Sequence, residues 1–306
     1  MLQKIRKNPF ISKTFYSVYH FANSIYLRFG RHFLKRFRLE RNLAKTSEVL
    51  RKHNIKDLHF KDSHPYIESD GRKFYYMPES RGGCVHVLND AYEKRISEII
   101  GKYIKDDSII FDVGSNFGFF TMQASKKATK GKIYAFEPVP ESFGYLERNI
   151  KINNLENHVT GIWAAVSDKQ GTIRITTNKF GGNHILNRIR SGSAKNTAIV
   201  KSMTIDSFCA KNKINRLDLL KCDVEGAELM VLRGAKSMIK RCMPIIILEI
   251  QENWAMRFGY APSEIFDLLK DLGYNYSLIT NKGIIRPTTI GKDLEKTNNF
   301  LFVSKS

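Results

Sequence analysis

Short apolar runs alternate with amphipathic stretches along most of this chain, and that alternation predicts its architecture. Residues 108–113, 132–137, 158–166, 217–222, 244–250, 274–280 and 299–303 have the length and the β-branched or aromatic content of strands. Between them, apolar spacing of three and four residues predicts helices over 91–103, from about 117, over 141–152, from about 228 and from 263. Strands and helices in alternation call for an α/β fold, a parallel sheet covered by helices on both faces. The last two runs show no helical pattern between them and are expected to pair as an antiparallel hairpin at the sheet edge. Ahead of the sheet, 73–77 and 84–88 read as a hairpin around a turn at 78–83. The Gly/Asn-rich segment 178–196 is the longest loop-like stretch, and loops of that length tend to carry function.

The first sixty residues follow a different pattern. Ile11, Phe15, Val18, Ala22, Ile25, Phe29 and Phe33 form one apolar helical stripe, with Lys13, His20 and Arg31 opposite. Residues 1–56 hold fourteen Lys and Arg against Glu40 and Glu48 only, so they carry twelve of the chain's +20 charges. A basic amphipathic helix of this kind suits an anionic membrane surface, a docking partner, or simple packing on its own domain. The expected organisation is a basic helical extension over 1–60 and a folded domain over 61–306. Within that domain an early hairpin and helix, about 72–103, lead into a sheet spanning about 107–304.

Composition narrows the class. An apolar fraction of 42 % with twenty Phe and thirteen Tyr supplies a core and excludes disorder for most of the chain. No apolar run approaches transmembrane length, and the basic start lacks the apolar core and cleavage site of a secretory signal, so a cytoplasmic location is expected. A peripheral position on the inner face of a membrane stays open through the basic extension. Cys84, Cys209, Cys222 and Cys242 stand far apart, with neither a CxxC nor a histidine at ligand spacing, and read as reduced thiols.

The first sheet strand ends IIFDVGSNFGFF. Gly114 and Gly118 permit a tight turn and close approach of a ligand, and the next helix offers free amides. A dinucleotide fingerprint would need glycine at 116, where Asn116 stands, so no pyrophosphate cradle is indicated. Asp112 would repel a pyrophosphate but attract an ammonium, which suits the methionine end of S-adenosylmethionine. The second strand ends YAFEP and places Glu137 twenty-three residues after Gly114, where its two oxygens can accept hydrogen bonds from both ribose hydroxyls.

The runs IIFDVGSNFGFFT, YAFEPVPESFGYLERNI and DLLKCDVEGAELMVLRGA resemble the FkbM family of S-adenosylmethionine-dependent methyltransferases, and TIDSF and NNFLFVSK are similar to it as well. The resemblance spans about residues 90–304. It implies a seven-stranded class I, Rossmann-like methyltransferase sheet and methyl transfer to oxygen, often on a sugar or natural product. It places Asp112, Gly114, Asn116, Gly118 and Glu137 on cofactor positions, and Ala165 and Val166 at a third-strand end that borders the adenine.

A sugar hydroxyl is a weak nucleophile at neutral pH, so methyl transfer to it calls for a base or a metal. The strand ending LLKCDVEGAE delivers Lys221, Asp223, Glu225 and Glu228 to the ligand edge of the sheet. Asp223 is the first candidate for base or acceptor-binding carboxylate and Glu225 the second, whereas Glu228 reads as a helix-capping acid. An Asp-x-Glu-x-x-Glu spacing could also hold one divalent ion, but it does not specify one, and no metal ligand is assigned. Lys221 points to the opposite face from Cys222 and is placed to pair with one of these acids. Glu249, in the apolar run PIIILEI, is either a site residue or a buried ion pair. His86, His184, Trp163 and Trp254 are secondary candidates with bystander or packing readings, and Tyr92 and Glu93 softly match a family position without a role. The leading reading is an O-methyltransferase for a carbohydrate, glycolipid precursor or other hydroxylated metabolite. A nucleic-acid methyltransferase, motivated by the +20 charge, ranks lower because CDVEG stands where an Asn/Asp-Pro-Pro-Tyr clamp or Pro-Cys nucleophile would be expected. A non-enzymatic membrane-docking module ranks third, because it has no need of the Asp112, Gly114, Gly118 and Glu137 set.

Overall fold

A computed structural model describes residues 59–61, 64–75, 90–177 and 197–305. The chain divides into two compact units, Met1–Glu68 with Tyr75–Glu79 and Ser69–Phe74 with Ser80–Ser306. Within the first, β1 (His59–Lys61) pairs antiparallel with β2 (His64–Ser69), and Tyr66 meets Tyr75 edge to face. Residues 1–56, the turn at 78–83 and the expected strand at 84–88 lie outside the described residues.

In the second unit the run Ile-Ile-Phe-Asp-Val forms β4 (Ile109–Val113), almost wholly buried as a central parallel strand should be. Around it lies an eight-stranded sheet of order β13-β12-β14-β11-β10-β4-β5-β6. Its members are β5 (Lys132–Phe136), β6 (Val159–Ile162), β10 (Leu219–Cys222), β11 (Ile245–Glu249), β12 (Tyr274–Thr280), β13 (Gly283–Ile285) and β14 (Asn299–Ser304). The five strands from β11 to β6 run parallel, while β14, β12 and β13 add antiparallel pairs. The seven-stranded class I methyltransferase sheet is thus present, with β13 as a short eighth strand at the edge. The chain leaves β4 towards β5 and later returns on its other side as β10, which makes a topological switch point between β4 and β10.

Helices cover the sheet. They are α1 (Asp90–Tyr103), α2 (Phe119–Ala124), α3 (Pro140–Ile152), α4 (Ile205–Asn212), α5 (Glu228–Arg233), α6 (Lys236–Cys242), α7 (Glu252–Ala255), α8 (Ser263–Asp271) and α9 (Ile290–Lys296). On one face Phe111, Leu220, Ile246 and Phe302 pack with Ile205, Leu229, Ile239 and Phe266 from α4, α5, α6 and α8. Ahead of the sheet, β3 (Arg72–Tyr75) fastens behind the glycine loop. Arg72 Nε donates to the Met122 carbonyl at 3.1 Å, and the Phe74 ring centroid lies 5.8 Å from Phe119 and 6.2 Å from Phe117.

Three expectations need correction. The run 158–166 is not one strand: Ala164 N–H bonds back to the Ile162 carbonyl at 2.9 Å, and the chain turns there. Ala165 and Val166 therefore form a separate short strand, β7 (Ala165–Val166). It pairs parallel with β9 (Thr197–Met203), which in turn pairs antiparallel with β8 (Gly171–Thr176). The last two sheet strands do pair antiparallel, but not as a simple hairpin, since β13 and α9 lie between them. Helix α9 escaped the apolar pattern because its buried anchor is polar: Asp293 accepts from Thr288 N–H, Thr288 Oγ1 and Tyr276 Oη.

Candidate active site

The site forms at the carboxyl ends of β4, β5, β10 and β11, beside the switch point. After β4 the loop takes left-handed backbone at Gly114 (φ 77°), Asn116 (φ 51°) and Gly118 (φ 89°). Asparagine is among the few L-residues that enter this region readily, which accounts for the one non-glycine position. The Gly114 and Ser115 amides both donate to the Phe136 carbonyl at 3.0 Å, tying the loop to the end of β5. Glu137 completes the tie, with Asn116 N–H donating to Oε2 and Val139 N–H to Oε1, both at 2.8 Å. Burial pushes the Glu137 carboxyl up to about 7 although both amides favour its charged form. Each Glu137 oxygen retains a lone pair for a further donor.

Asp112 lies on the sheet face opposite the large core. Its side chain is fully buried; Oδ2 accepts from Thr121 Oγ1 at 2.5 Å, and the Lys221 ammonium lies 3.7 Å from Oδ1. Desolvation raises its pKa and Lys221 opposes the rise. The ammonium that Asp112 meets is therefore one the chain itself supplies, which the isolated motif did not disclose. Asp112 Oδ1 and Asn116 Oδ1 are buried acceptors without a hydrogen-bond partner among the described residues.

Lys221 also reaches Asp223, at 3.2 Å from Oδ2, and the Gly114 carbonyl, at 3.4 Å. The strand period puts Lys221 and Asp223 on one face. The registers Lys221↔Ile247 and Glu249↔Asn299 bring those residues to the same face. Together they line a cavity of about 190 Å³, with Arg95, Thr280, Asn281, Lys296 and Thr297. Glu249 is hydrogen-bonded to Asp223 and accepts from Gln251 Nε2 at 3.0 Å. Burial, and then the neighbouring Asp223, hold the Glu249 carboxyl well above the ordinary carboxylate range, so it keeps its proton at neutral pH. Three carboxyl groups thus surround one ammonium.

The other sequence candidates fall as follows. Glu225 is half-buried in the loop after β10 with φ 56°. Glu228 caps that loop, its Oε1 accepting from Val224 and Gly226 N–H at 3.1 Å and its Oε2 from Tyr260 Oη at 3.3 Å. Ala165 and Val166 are buried in β7. Trp163 is 53 % exposed, donates to the Pro138 carbonyl at 3.0 Å and stacks on Phe143. Trp254 lies under the Arg257 guanidinium. His86, His184 and the side chains of Tyr92 and Glu93 lie outside the described residues. Among the described residues, no three His, Cys, Asp or Glu side chains gather as a metal-holding group. Arg95, Lys296 and Asn299 were not singled out by sequence, because only the strand order and the fold-back of β12 and β14 bring them to this cavity.

Comparison with known proteins identifies the family. Residues 112–276 match the model of the methyltransferase FkbM domain. Methyltransferase sdnD of Sordaria araneosa is 26 % identical over 237 residues, covering 68 % of this chain and 88 % of that protein. Hexuronic acid methyltransferase AglP of Haloferax volcanii is 25 % identical over 179 residues, 58 % of this chain and 68 % of that one. The 2-O-methyltransferase NoeI of Sinorhizobium fredii is 23 % identical over 159 residues, 47 % of this chain and 64 % of that one.

Proposed function

The chain belongs to the FkbM family of S-adenosylmethionine-dependent methyltransferases, and on that premise we propose that its acceptor is a hydroxyl group of a carbohydrate, glycolipid precursor or related metabolite. The observation that carries this reading is the Lys221–Asp223–Glu249 cluster on the wall of the 190 Å³ cavity. The name of NoeI, a 2-O-methyltransferase, supports transfer to oxygen, and that of AglP, a hexuronic acid methyltransferase, supports a carbohydrate acceptor.

When bound, S-adenosylmethionine supplies an electrophilic methyl group on a sulfonium whose leaving group is a neutral thioether. The residues of the glycine loop fit such a ligand. Glu137 has a free lone pair on each oxygen for the ribose hydroxyls, and Asn116 Oδ1, without a partner among the described residues, suits a further donor. Gly114 and Gly118 shape the loop, Asp112 with Lys221 sets its electrostatics, and Ala165 and Val166 border the adenine side in this reading. Asp223 accepts the acceptor proton: the O–H bond breaks towards its carboxylate as the oxygen gains the methyl carbon. Glu249, holding its own proton, donates to Asp223 and keeps it oriented. Lys221 offsets the charge that Asp223 and Asp112 bring into a partly buried site. Glu225 is the second carboxylate near enough in the chain to share the acceptor. The basic surplus of residues 1–56 supports a position at an anionic membrane surface, where glycolipid precursors lie.

Asp223→Asn tests the reading. General-base assistance is worth about 10²–10⁴-fold, so turnover of labelled methyl onto sugars should fall by that much while calorimetric cofactor affinity holds. Near-normal turnover in the variant removes Asp223 from the chemistry. Wild-type activity that disappears on chelation and returns with magnesium would transfer the role to an ion held by Asp223 and Glu225.

A further inference from the structure

The acceptor cavity is chemically lopsided. Asp223 and Glu249 form one wall, while Arg95 from α1 and Lys296 from α9 stand among Thr280, Asn281 and Thr297 on the other. The guanidinium of Arg95 has five N–H donors, and among the described residues two nitrogens are engaged, NH1 with Glu98 at 2.6 Å and NH2 with the Asn281 carbonyl at 2.7 Å. Its side chain is only 18 % exposed, whereas Glu98 is 42 % exposed, so the partner is the solvated, replaceable end of the pair. Lys296 likewise gives hydrogen bonds to Thr288 Oγ1 at 3.0 Å and Asp293 Oδ1 at 3.1 Å, and Asp293 is already satisfied by three other donors. A neutral polyol needs no such cations, and each keeps donor capacity beyond its present carboxylate partner.

We infer that the acceptor carries a compact oxyanion, a carboxylate or a phosphate, which the Arg95 and Lys296 wall binds while its hydroxyl faces Asp223. This rests on the hydroxyl-acceptor reading and narrows it. A planar fork beside a point charge suits an oxyanion on a single ring, and a cavity of about 190 Å³ is small beside the roughly 300–1,000 Å³ of common ligand pockets.

The test compares methyl β-glucoside, methyl β-glucuronide and glucose 6-phosphate as acceptors for the full chain with labelled S-adenosylmethionine. An anionic sugar should show at least a tenfold advantage in kcat/KM over the glucoside, carried by KM and shrinking as salt rises. The anion that gains more identifies carboxylate or phosphate as the natural group. In Arg95→Gln, or in Lys296→Gln should the first fold poorly, the anionic-to-neutral ratio should collapse towards one. Equal or better use of the glucoside, or an unchanged ratio in both folded variants, overturns the inference and leaves the hydroxyl reading standing. Transfer to none of the three sugars overturns both.

Discussion

Gly114 packs so closely on Asp223 that a Cβ at position 114 would lie 1.8 Å from the Asp223 carbonyl oxygen. The glycine loop and the loop after β10 are therefore one contact, made backbone to backbone. The close approach that Gly114 permits is to the chain itself. Geometry changes at one loop must reach the other, which couples the position of Asp223 to the glycine loop and to Glu137 beyond it.

Gly114→Ala should accordingly fail twice. A left-handed conformation costs an L-residue about 1–2 kcal/mol, and the clash falls on backbone atoms that no rotamer change relieves. We expect a melting temperature lower by several degrees and loss of both cofactor binding and turnover. Gly144→Ala is the control, because it lies within α3 with nothing near its Cβ and should be neutral or slightly stabilising. Equal melting temperatures for the two variants would show that the loops separate easily.

Glu137 should make cofactor binding depend on pH. Hydroxyl donors favour the charged carboxylate, so binding lowers a pKa that burial has raised to about 7. Protons are then released below that pH, and affinity climbs towards pH 7 before levelling. Calorimetry at pH 6 in phosphate and in bis-tris should give heats that differ with buffer ionisation. Glu137→Gln should remove that difference and weaken binding roughly ten- to a hundred-fold. Equal heats for the wild type in both buffers would mean that Glu137 does not change protonation.

The parts of this fold legible in the sequence are those with local signals. IIFDV and PIIILEI are apolar enough to read as central strands, and D-x-G-x-N-x-G followed by YAFEP marks the loop and its acid without a partner in view. What was not legible depends on register or on polar anchors. Helix α4 has only Ile205 and Cys209 buried, too few for a helical period, although Thr204 caps it through Ser207 N–H at 3.0 Å. Strands β8 and β9 carry few buried residues. Lys221 was expected to pair with a nearby acid and does, but its second partner, Asp112, comes from the neighbouring strand. Arg95 and Asn299 lie more than two hundred residues apart in sequence and share a cavity only because β14 inserts between β11 and β12.

Removing residues 1–56 should abolish sedimentation with anionic vesicles while leaving cofactor affinity intact. The motive is the apolar stripe from Ile11 to Phe33 joined to a surplus of twelve charges. Binding by the full chain should weaken as salt shortens the range of the attraction. A full-length protein that ignores such vesicles, or a truncation that unfolds the remainder, would return the stripe to ordinary packing.

Glu249 separates two accounts of the acid pair. If its proton is held in place by burial and Asp223, its oxygens accept from Gln251 while its O–H serves Asp223. Glutamine can reproduce both: its carbonyl accepts and its amide donates. Glu249→Gln should then retain turnover within a few-fold, whereas Glu249→Ala, which strands Asp223 and Gln251, should lose much more. If Glu249 instead worked as an ionised base, both variants would fall by about 10²–10⁴-fold. Stability gives a second readout with a definite sign. An acid whose folded pKa lies above its unfolded value binds more protons in the folded state, so stability falls as pH rises through the window between the two. Glutamine removes that slope. The variant should therefore gain on the wild type between melts at pH 4 and pH 8, and a constant difference across that range would show that Glu249 is already ionised in the folded protein.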